Sequence, residues 1–187
     1  MLSETAKQYL LNVARRSIET AVNKLPERDV TEYPPSLNTK SGAFVTLRID
    51  NELRGCIGHI EAHKPLIETI REVAVKSALK DPRFLPVAPE ELSSIEIEIS
   101  VISPMKRIQS IDEIEVGRHG LMLESENHRG LLLPQVATEN GWDKETFLNQ
   151  TARKAGLPSR AWKEQEANIS IFSAEIFSEH SLNVKHK

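Results

Sequence analysis

Apolar residues recur along the chain at two spacings, one typical of helices and the other of strands. The helical spacing predicts helices over residues 4–25, 65–80 and 135–140, and a further helix between Asp143 and Gly156. Alternating or short apolar runs predict strands over residues 43–49, 53–60, 94–103 and 168–178. Three shorter strands are predicted at residues 114–116, 121–123 and 131–133.

The order of these elements predicts the fold class. A polar turn at residues 50–52 joins the first two strands into a hairpin. Helices and hairpins are mixed, without the steady strand–helix alternation of a doubly wound parallel fold. The pattern therefore favours an α+β fold with a mainly antiparallel sheet flanked by helices. The short strands indicate a smaller lobe within about residues 105–140 of one domain that spans residues 1–187.

Composition and charge narrow the class of protein. A net charge of −3 and a pI near 6.1 argue against a generic DNA-binding surface, which is usually basic. A single cysteine forms no intramolecular disulfide, as expected in a reducing cytosol. The first residues lack a basic stretch followed by an apolar core, and no apolar run is long enough to span a membrane. We therefore expect a cytoplasmic protein with no membrane partner.

The stretch with the most candidate chemistry is residues 53–60, LRGCIGHI. It places an arginine, the only cysteine and a histidine among apolar residues and two glycines. Glycine inside a strand often marks a bulge or a close approach of another backbone. This predicted strand is therefore the first place to look for a site.

Familiar catalytic and nucleotide-binding motifs are missing from the sequence. It contains no G-x-x-x-x-G-K-[ST], no G-x-G-x-x-G, no H-E-x-x-H and no G-x-S-x-G. No cofactor is therefore predicted.

Cys56 is the natural candidate for a nucleophile. A reactive thiol needs a nearby cation, helix N-terminus or base. In a regular strand Arg54 would share a face with Cys56, whereas His59 would face the other way unless Gly58 bends the chain. A base could instead come from elsewhere, with His63, His119 and His128 as candidates. The alternative is a buried, inert cysteine that acts as a small apolar residue.

Two other binding chemistries can be considered for this stretch. His59 and His63, with Glu61 and either Glu96 or Glu98, could ligate a metal ion, but two surface histidines are the simpler interpretation and no metal site is predicted.

RNA binding is the second chemistry. Residues 55–58 match the G-x-x-G spacing of a loop that clamps a nucleic-acid backbone, although that loop normally joins two helices. Arg54, Arg118, Arg129 and the pair Lys106-Arg107 could form a basic patch, whereas an aromatic content of 5% is thin for base stacking.

The hexapeptide at residues 53–58 resembles the hallmark motif of the AMMECR domain family. The resemblance continues through most of the chain, at residues 42–47, 78–84, 92–104, 117–121, 129–137, 141–143 and 154–158. Length and a polar N-terminus are similar to the stand-alone prokaryotic members, the A component of the AmmeMemoRadiSam system.

The resemblance implies a larger α+β lobe, a smaller β-containing lobe and a cleft between them, with the hexapeptide as a functional element. It also implies association with a Memo-like protein and a radical S-adenosylmethionine enzyme. It does not imply a reaction.

Two hypotheses follow for residues 53–58. In the first, the protein is an enzyme or enzyme subunit, in which Cys56 reacts and Arg54 holds an anionic substrate or the thiolate. Gly55 and Gly58 then let the substrate approach the backbone. In the second, the protein is a non-catalytic adaptor for RNA or for the two partner proteins, in which Arg54 makes the contact and Cys56 packs. His59 and His119 are further candidate binding residues.

Overall fold

The computed structural model describes residues 1–26, 32–61, 63–164 and 166–182. The chain divides into two compact units, Met1–Ile102 with Glu175–Lys187, and Ser103–Ala174. The strand pairs are antiparallel and helices pack beside them, which confirms the predicted α+β class with a mainly antiparallel sheet.

Among the residues that the structure describes, the first unit contains two α-helices and three complete strands. They are α1 (Glu4–Val22), β1 (Ala43–Ile49), β2 (Glu52–His59), α2 (Leu66–Leu79) and β3 (Glu96–Ile102). The strand order is β2-β1-β3, followed by β7, the last strand of the chain (Asn168–Ser178). Strand β2 therefore lies at the end of the order, with β1 as its strand neighbour.

The core of this unit lies between the helices and one face of the sheet. Helix α1 starts where the Ser3 hydroxyl accepts a hydrogen bond from the Ala6 N–H, an N-cap. Strands β1 and β3 turn alternate residues inward, as the period of two requires. The fully buried side chains on this side include Leu10, Leu11, Ile18, Val45, Leu47, Ile70, Ile97 and Ile99.

The second unit has its own hydrophobic core. Its elements are β4 (Lys106–Arg107), β5 (His119–Ser125), β6 (His128–Leu132), α3 (Pro134–Glu139), α4 (Lys144–Lys154) and the first part of β7. β5 pairs with β6 and β7, and β4 pairs with β7. Phe147, Leu148 and Ala152 of α4 are fully buried in its core.

Two details of this unit differ from the expectations. The strand predicted at residues 114–116 is wrong: Ser110 instead caps a 3-10 helix, Ile111–Glu113, and Ile114 follows it as a buried residue. The compact unit also extends over Ser103–Ala174, beyond the 105–140 expected for the smaller lobe, because α4 packs on β5 and β6. The predicted cleft between the lobes stays a prediction.

Within the described ranges, no helix has both the length and the apolarity needed to cross a bilayer.

Candidate functional site

Cys56 lies on the face of the sheet that turns away from the helices of its unit. It pairs with Thr46 of β1, which in turn pairs with Glu98 of β3. Residues directly opposite each other in an antiparallel ladder share a face. Thr46 stands between two core residues of β1, Val45 and Leu47, so it faces the opposite way. Cys56, Thr46 and Glu98 therefore form one row across the face of the sheet that turns away from the helices.

The thiol has a hydroxyl as its hydrogen-bond partner. Thr46 Oγ1 donates to Cys56 Sγ at 3.3 Å. Cys56 is partly buried and Thr46 is buried. A threonine hydroxyl orients a thiol but is not a base, so activation of the thiol would depend on other groups.

The main chain of Cys56 is held by an ion pair from the loop that follows α2. The Cys56 N–H donates to Asp81 Oδ2 at 2.8 Å, and the Cys56 carbonyl accepts from Arg83 Nη2 at 3.3 Å. Asp81 and Arg83 are bonded to each other, Nε to Oδ1 at 3.0 Å and Nη2 to Oδ2 at 2.7 Å. Two side chains thus satisfy the groups that a neighbouring strand would otherwise bond.

The electrostatics of this pair favour the charged forms. The Arg83 guanidinium holds the pKa of the Asp81 carboxyl well below its usual range, with the Cys56 N–H contributing and burial opposing. Asp81 in turn raises the pKa of Arg83, and electrostatic interaction with Cys56 adds to that rise. Both side chains therefore stay charged where they bind the Cys56 peptide.

Arg54 is the extra residue of a β-bulge in β2. Its side chain reaches the loop that follows α2 and carries Asp81 and Arg83. The β1–β2 register pairs Leu47 with Gly55 but Arg48 with Leu53, so Arg54 is left unpaired between them. We call residues 81–91 the 81–91 loop.

The guanidinium of Arg54 binds two positions of the 81–91 loop. Its Nε and Nη2 donate to the Glu91 carboxylate at 2.7 and 2.9 Å, and its Nη1 donates to the Leu85 carbonyl at 3.0 Å. The hydrogen bond between them raises the pKa of Arg54 and lowers that of Glu91. Arg54 thereby fixes the loop that carries Asp81 and Arg83.

The two glycines of the motif are required by close contacts. A methyl group added at Gly55 would overlap the carbonyl oxygen of Ser77 in α2. One added at Gly58 would overlap the ring of Phe44, its partner in β1. Gly55 therefore lets the helix backbone approach the strand, and Gly58 accommodates an aromatic ring.

Ser77 enters the hydrogen-bond ladder between β1 and β2. Its hydroxyl accepts from the Ile57 N–H at 2.9 Å and lies 2.7 Å from the Val45 carbonyl, to which it can donate. The Val73 carbonyl, at 2.8 Å, is an alternative acceptor. Helix α2 is thus bonded into the strand pair that carries the hexapeptide.

The histidines near the motif have separate carboxylate partners. His59 Nε2 lies 3.3 Å from Glu72, which also binds Lys64 and Lys76; chiefly through these lysines, the pKa of Glu72 falls to about 2. His63 Nε2 lies 2.7 Å from Glu61. In the part of the chain that the structure describes, no three His, Cys, Asp or Glu side chains form a group that could hold a metal ion.

The remaining candidates from the sequence lie in the second unit. The Nδ1 of His119, at the start of β5, accepts from the Glu115 N–H at 3.1 Å. His128 is exposed at the start of β6. Arg118 pairs with Glu115, and Arg129 Nε contacts Met122 Sδ and Glu124. These residues belong to a different unit from Cys56, and each has local contacts of its own or stands at the surface.

The residues that surround Cys56 most closely were missed by the sequence reasoning. Asp81, Arg83 and Glu91 lie between the helix predicted at residues 65–80 and the strand predicted at residues 94–103, and Thr46 and Ser77 lie in a predicted strand and a predicted helix. A signal existed for two of them, because residues 78–84 carry part of the family resemblance.

The fold is that of an α+β protein built on a mainly antiparallel sheet, and the candidate site lies on strand β2 at Cys56. The AMMECR1 family model matches residues 11–177, so the chain belongs to the AMMECR1 family.

Archaeal proteins and one solved structure are similar along most of the chain. A Thermococcus onnurineus protein is 44% identical over 183 residues, covering 92% of this chain and 89% of that protein. Protein MJ0810 of Methanocaldococcus jannaschii is 45% identical over 158 residues, covering 80% and 79%. The crystal structure of the uncharacterized protein PH0010 from Pyrococcus horikoshii matches with a TM-score of 0.88 at 39% identity, covering 100% of this chain and 97% of that one.

Proposed function

We propose that the protein is an enzyme, or a subunit of one, in which the thiol of Cys56 is the reacting group. The observation that carries this proposal is that side chains bind both backbone groups of Cys56, its N–H and its carbonyl. Asp81 binds its N–H and Arg83 binds its carbonyl. Functional groups that must react in one geometry are held by a rigid element and by supporting hydrogen bonds.

The surroundings of the thiol support a chemical role. A nucleophilic thiol is favoured by a neighbouring cation, and the Arg83 guanidinium donates to the carbonyl of the same residue, Cys56. The Thr46 hydroxyl, 3.3 Å from Sγ, orients the thiol. Arg54 takes a positioning role in this proposal, since its guanidinium binds Glu91 and Leu85 of the 81–91 loop.

The proposal also includes partners and a location. The resemblance to the stand-alone prokaryotic members supports action alongside a Memo-like protein and a radical S-adenosylmethionine enzyme. A sequence with one cysteine supports a cytoplasmic setting, because structural disulfides are rare there.

Chemical labelling and genetic complementation together test the role of the thiol. We expect iodoacetamide to modify Cys56 in the folded protein, as measured by intact mass and peptide mapping. Cys56→Ala and Cys56→Ser should fold with wild-type circular dichroism but fail to complement a strain that lacks the gene. Ser17→Ala, at a partly buried serine of α1, is the control for a tolerated substitution. Full complementation by Cys56→Ala would overturn the proposal.

A second candidate function is a non-catalytic adaptor for the two partner proteins or for RNA. The observation that favours it is the partner of Sγ, a threonine hydroxyl rather than a base. In this case Gly55 and Gly58 shape the strand, and Cys56 only packs.

Copurification separates the adaptor from the enzyme. The tagged wild-type protein and Arg54→Ala are each mixed with the purified Memo-like protein, the purified radical S-adenosylmethionine enzyme and total RNA. An adaptor retains one of these in the wild type and loses it in Arg54→Ala, while Cys56→Ser still binds and still complements. If the wild type retains none of them beyond the level of an unrelated tagged protein, the adaptor function is refuted.

A further inference from the structure

Arg54 and Arg83 both come from the segments around Cys56, and they differ in how many of their N–H donors already make hydrogen bonds. The guanidinium of Arg54 uses all three of its nitrogens, Nε and Nη2 on Glu91 and Nη1 on the Leu85 carbonyl. Its side chain is only 16% exposed. Arg54 is therefore a poor candidate for binding a substrate, contrary to the role the sequence suggested for it.

Arg83 uses only part of its guanidinium. Its Nε and Nη2 donate to Asp81, and Nη2 also reaches the Cys56 carbonyl. Within the described residues, its Nη1 makes no hydrogen bond, and the side chain is 53% exposed. The guanidinium lies 5.5 Å from the centroid of the Phe84 ring, a contact that restrains its orientation. A restrained cation with a free NH₂ group therefore stands at the surface beside Cys56.

The carboxylate of Asp81, which pairs with Arg83, has no free oxygen at this surface. The Asp81 side chain is 2% exposed, and it accepts from the Cys56 N–H, the Arg83 N–H, and Nε and Nη2 of Arg83. Two carboxylate oxygens offer about four lone-pair sites, so these four donors saturate them. Asp81 therefore presents no exposed oxygen that would offset the Arg83 cation at this surface.

We propose that Arg83 binds an anionic group, a carboxylate or a phosphate, of the molecule that reacts with Cys56. This rests on the proposed function of the thiol and assigns its substrate class. The N–H groups of a guanidinium suit anionic oxygens, and arginine stays charged at any physiological pH. Because Arg83 also binds the Cys56 carbonyl, an anion bound to Arg83 lies close to the residue that carries the thiol.

Two alkylating reagents that differ in charge test this assignment. In both reactions the Cys56 thiolate forms a bond to the CH₂ carbon, the carbon–iodine bond breaks, iodide leaves with the electron pair, and the thiol proton goes to buffer. Iodoacetate carries a carboxylate, whereas iodoacetamide is neutral. We expect the ratio of their rates at Cys56 to be about tenfold higher in the folded protein than in the urea-unfolded chain, equivalent to about 1.4 kcal/mol. The rate of modification should also saturate as the iodoacetate concentration is raised.

Matched variants assign the effect to Arg83. Arg83→Gln should return the ratio to that of the unfolded chain, mainly through the concentration at half-saturation, and Arg83→Lys should keep part of it. Arg16→Gln removes an exposed arginine from α1 of the same unit and should change nothing. Protection by inorganic phosphate or by acetate, each added alone, distinguishes the two anion classes.

The outcomes separate this assignment from the role of the thiol. If iodoacetamide labels Cys56 but iodoacetate gains no advantage and Arg83→Gln changes nothing, the anion site is refuted and the reactive thiol stands. If neither reagent labels the folded protein, the proposed function fails. The anion site is then decided by thermal unfolding with inorganic phosphate: stabilisation that Arg83→Gln abolishes supports it, and equal stabilisation of both proteins overturns it.

Discussion

Arg54 and Glu91 face each other through two parallel hydrogen bonds, Nε to Oε1 at 2.7 Å and Nη2 to Oε2 at 2.9 Å. The first residue is in the hexapeptide, and the second is at the far end of the 81–91 loop. Glu91 also accepts from the Ala88 N–H at 2.8 Å, so its carboxylate joins the loop to itself and to β2. Through this pair a charged residue of the motif holds the segment that in turn holds Cys56.

Loss of this pair should loosen the 81–91 loop. Arg54→Ala removes a partly buried, two-bonded ion pair, and we expect it to cost about 1–2 kcal/mol of unfolding free energy. Amide hydrogen exchange in residues 84–91 should accelerate more than in α1. The control, Lys106→Ala, removes an exposed pair with Glu113 and should cost clearly less than Arg54→Ala. Unchanged exchange in the loop would refute the positioning role of Arg54.

Removal of the Ser77 hydroxyl should weaken the junction between α2 and the hairpin. Ser77→Ala removes the side-chain acceptor of the Ile57 N–H, and a buried donor left unsatisfied costs about 1–3 kcal/mol. Urea denaturation of Ser77→Ala and of the control Ser17→Ala measures the difference. A loss no larger than that of Ser17→Ala would show that the inserted hydroxyl contributes nothing.

A buried ion pair joins the N-terminal helix to the end of β7. Arg15 Nε and Nη2 bind the Glu179 carboxylate at 3.0 and 2.6 Å, and Arg15 also donates to the carbonyls of Leu92 and Ile95. Arg15→Met should cost about 3–5 kcal/mol, because the Glu179 carboxylate would stay buried without the Arg15 guanidinium. The double variant Arg15→Met/Glu179→Met should regain part of this loss. If the double variant is as unstable as the sum of both single variants, the two side chains do not act as a pair.

Acid should weaken the contact between the loop and Cys56. Since the pKa of Asp81 is lowered in the folded protein, its charged form stabilises folding at pH values above the ordinary carboxyl pKa, and this is lost as pH falls toward the folded value. Below about pH 5 the wild type should therefore lose unfolding free energy more steeply than Asp81→Asn. Denaturation midpoints between about pH 7 and pH 3 measure this. Equal slopes for the two proteins would contradict this prediction.

Much of the fold follows from local pattern in the sequence. The alternation of isoleucine and glutamate in β3 and the helical stripes of α1 and α2 each repeat over enough residues to outweigh single exceptions. Strand β4 was not predicted, because two residues, Lys106 and Arg107, carry no period; pairing with β7 makes them a strand. Residues 114–116 were predicted as a strand from apolar content alone, while the Ser110 cap determined the local structure.

The site is less predictable because its contacts are distant in sequence. The motif itself stands out, since glycine, cysteine and arginine are unusual together in a strand. The partners of Cys56 do not, because Asp81 and Arg83 sit beside a proline in a loop where charged residues are common. Arg54 was expected to act on a ligand, and only the structure reveals that Glu91 and Leu85 already occupy its donors.

The Asp81–Arg83 pair has a consequence for how molecules of this protein behave together. An outer strand with free N–H and carbonyl groups can accept a strand from another molecule, and this is a common route to aggregation. At Cys56 both groups are taken by one aspartate and one arginine, so the sheet is closed at that position without an additional strand. Charged side chains at this position therefore oppose edge-to-edge association of two molecules.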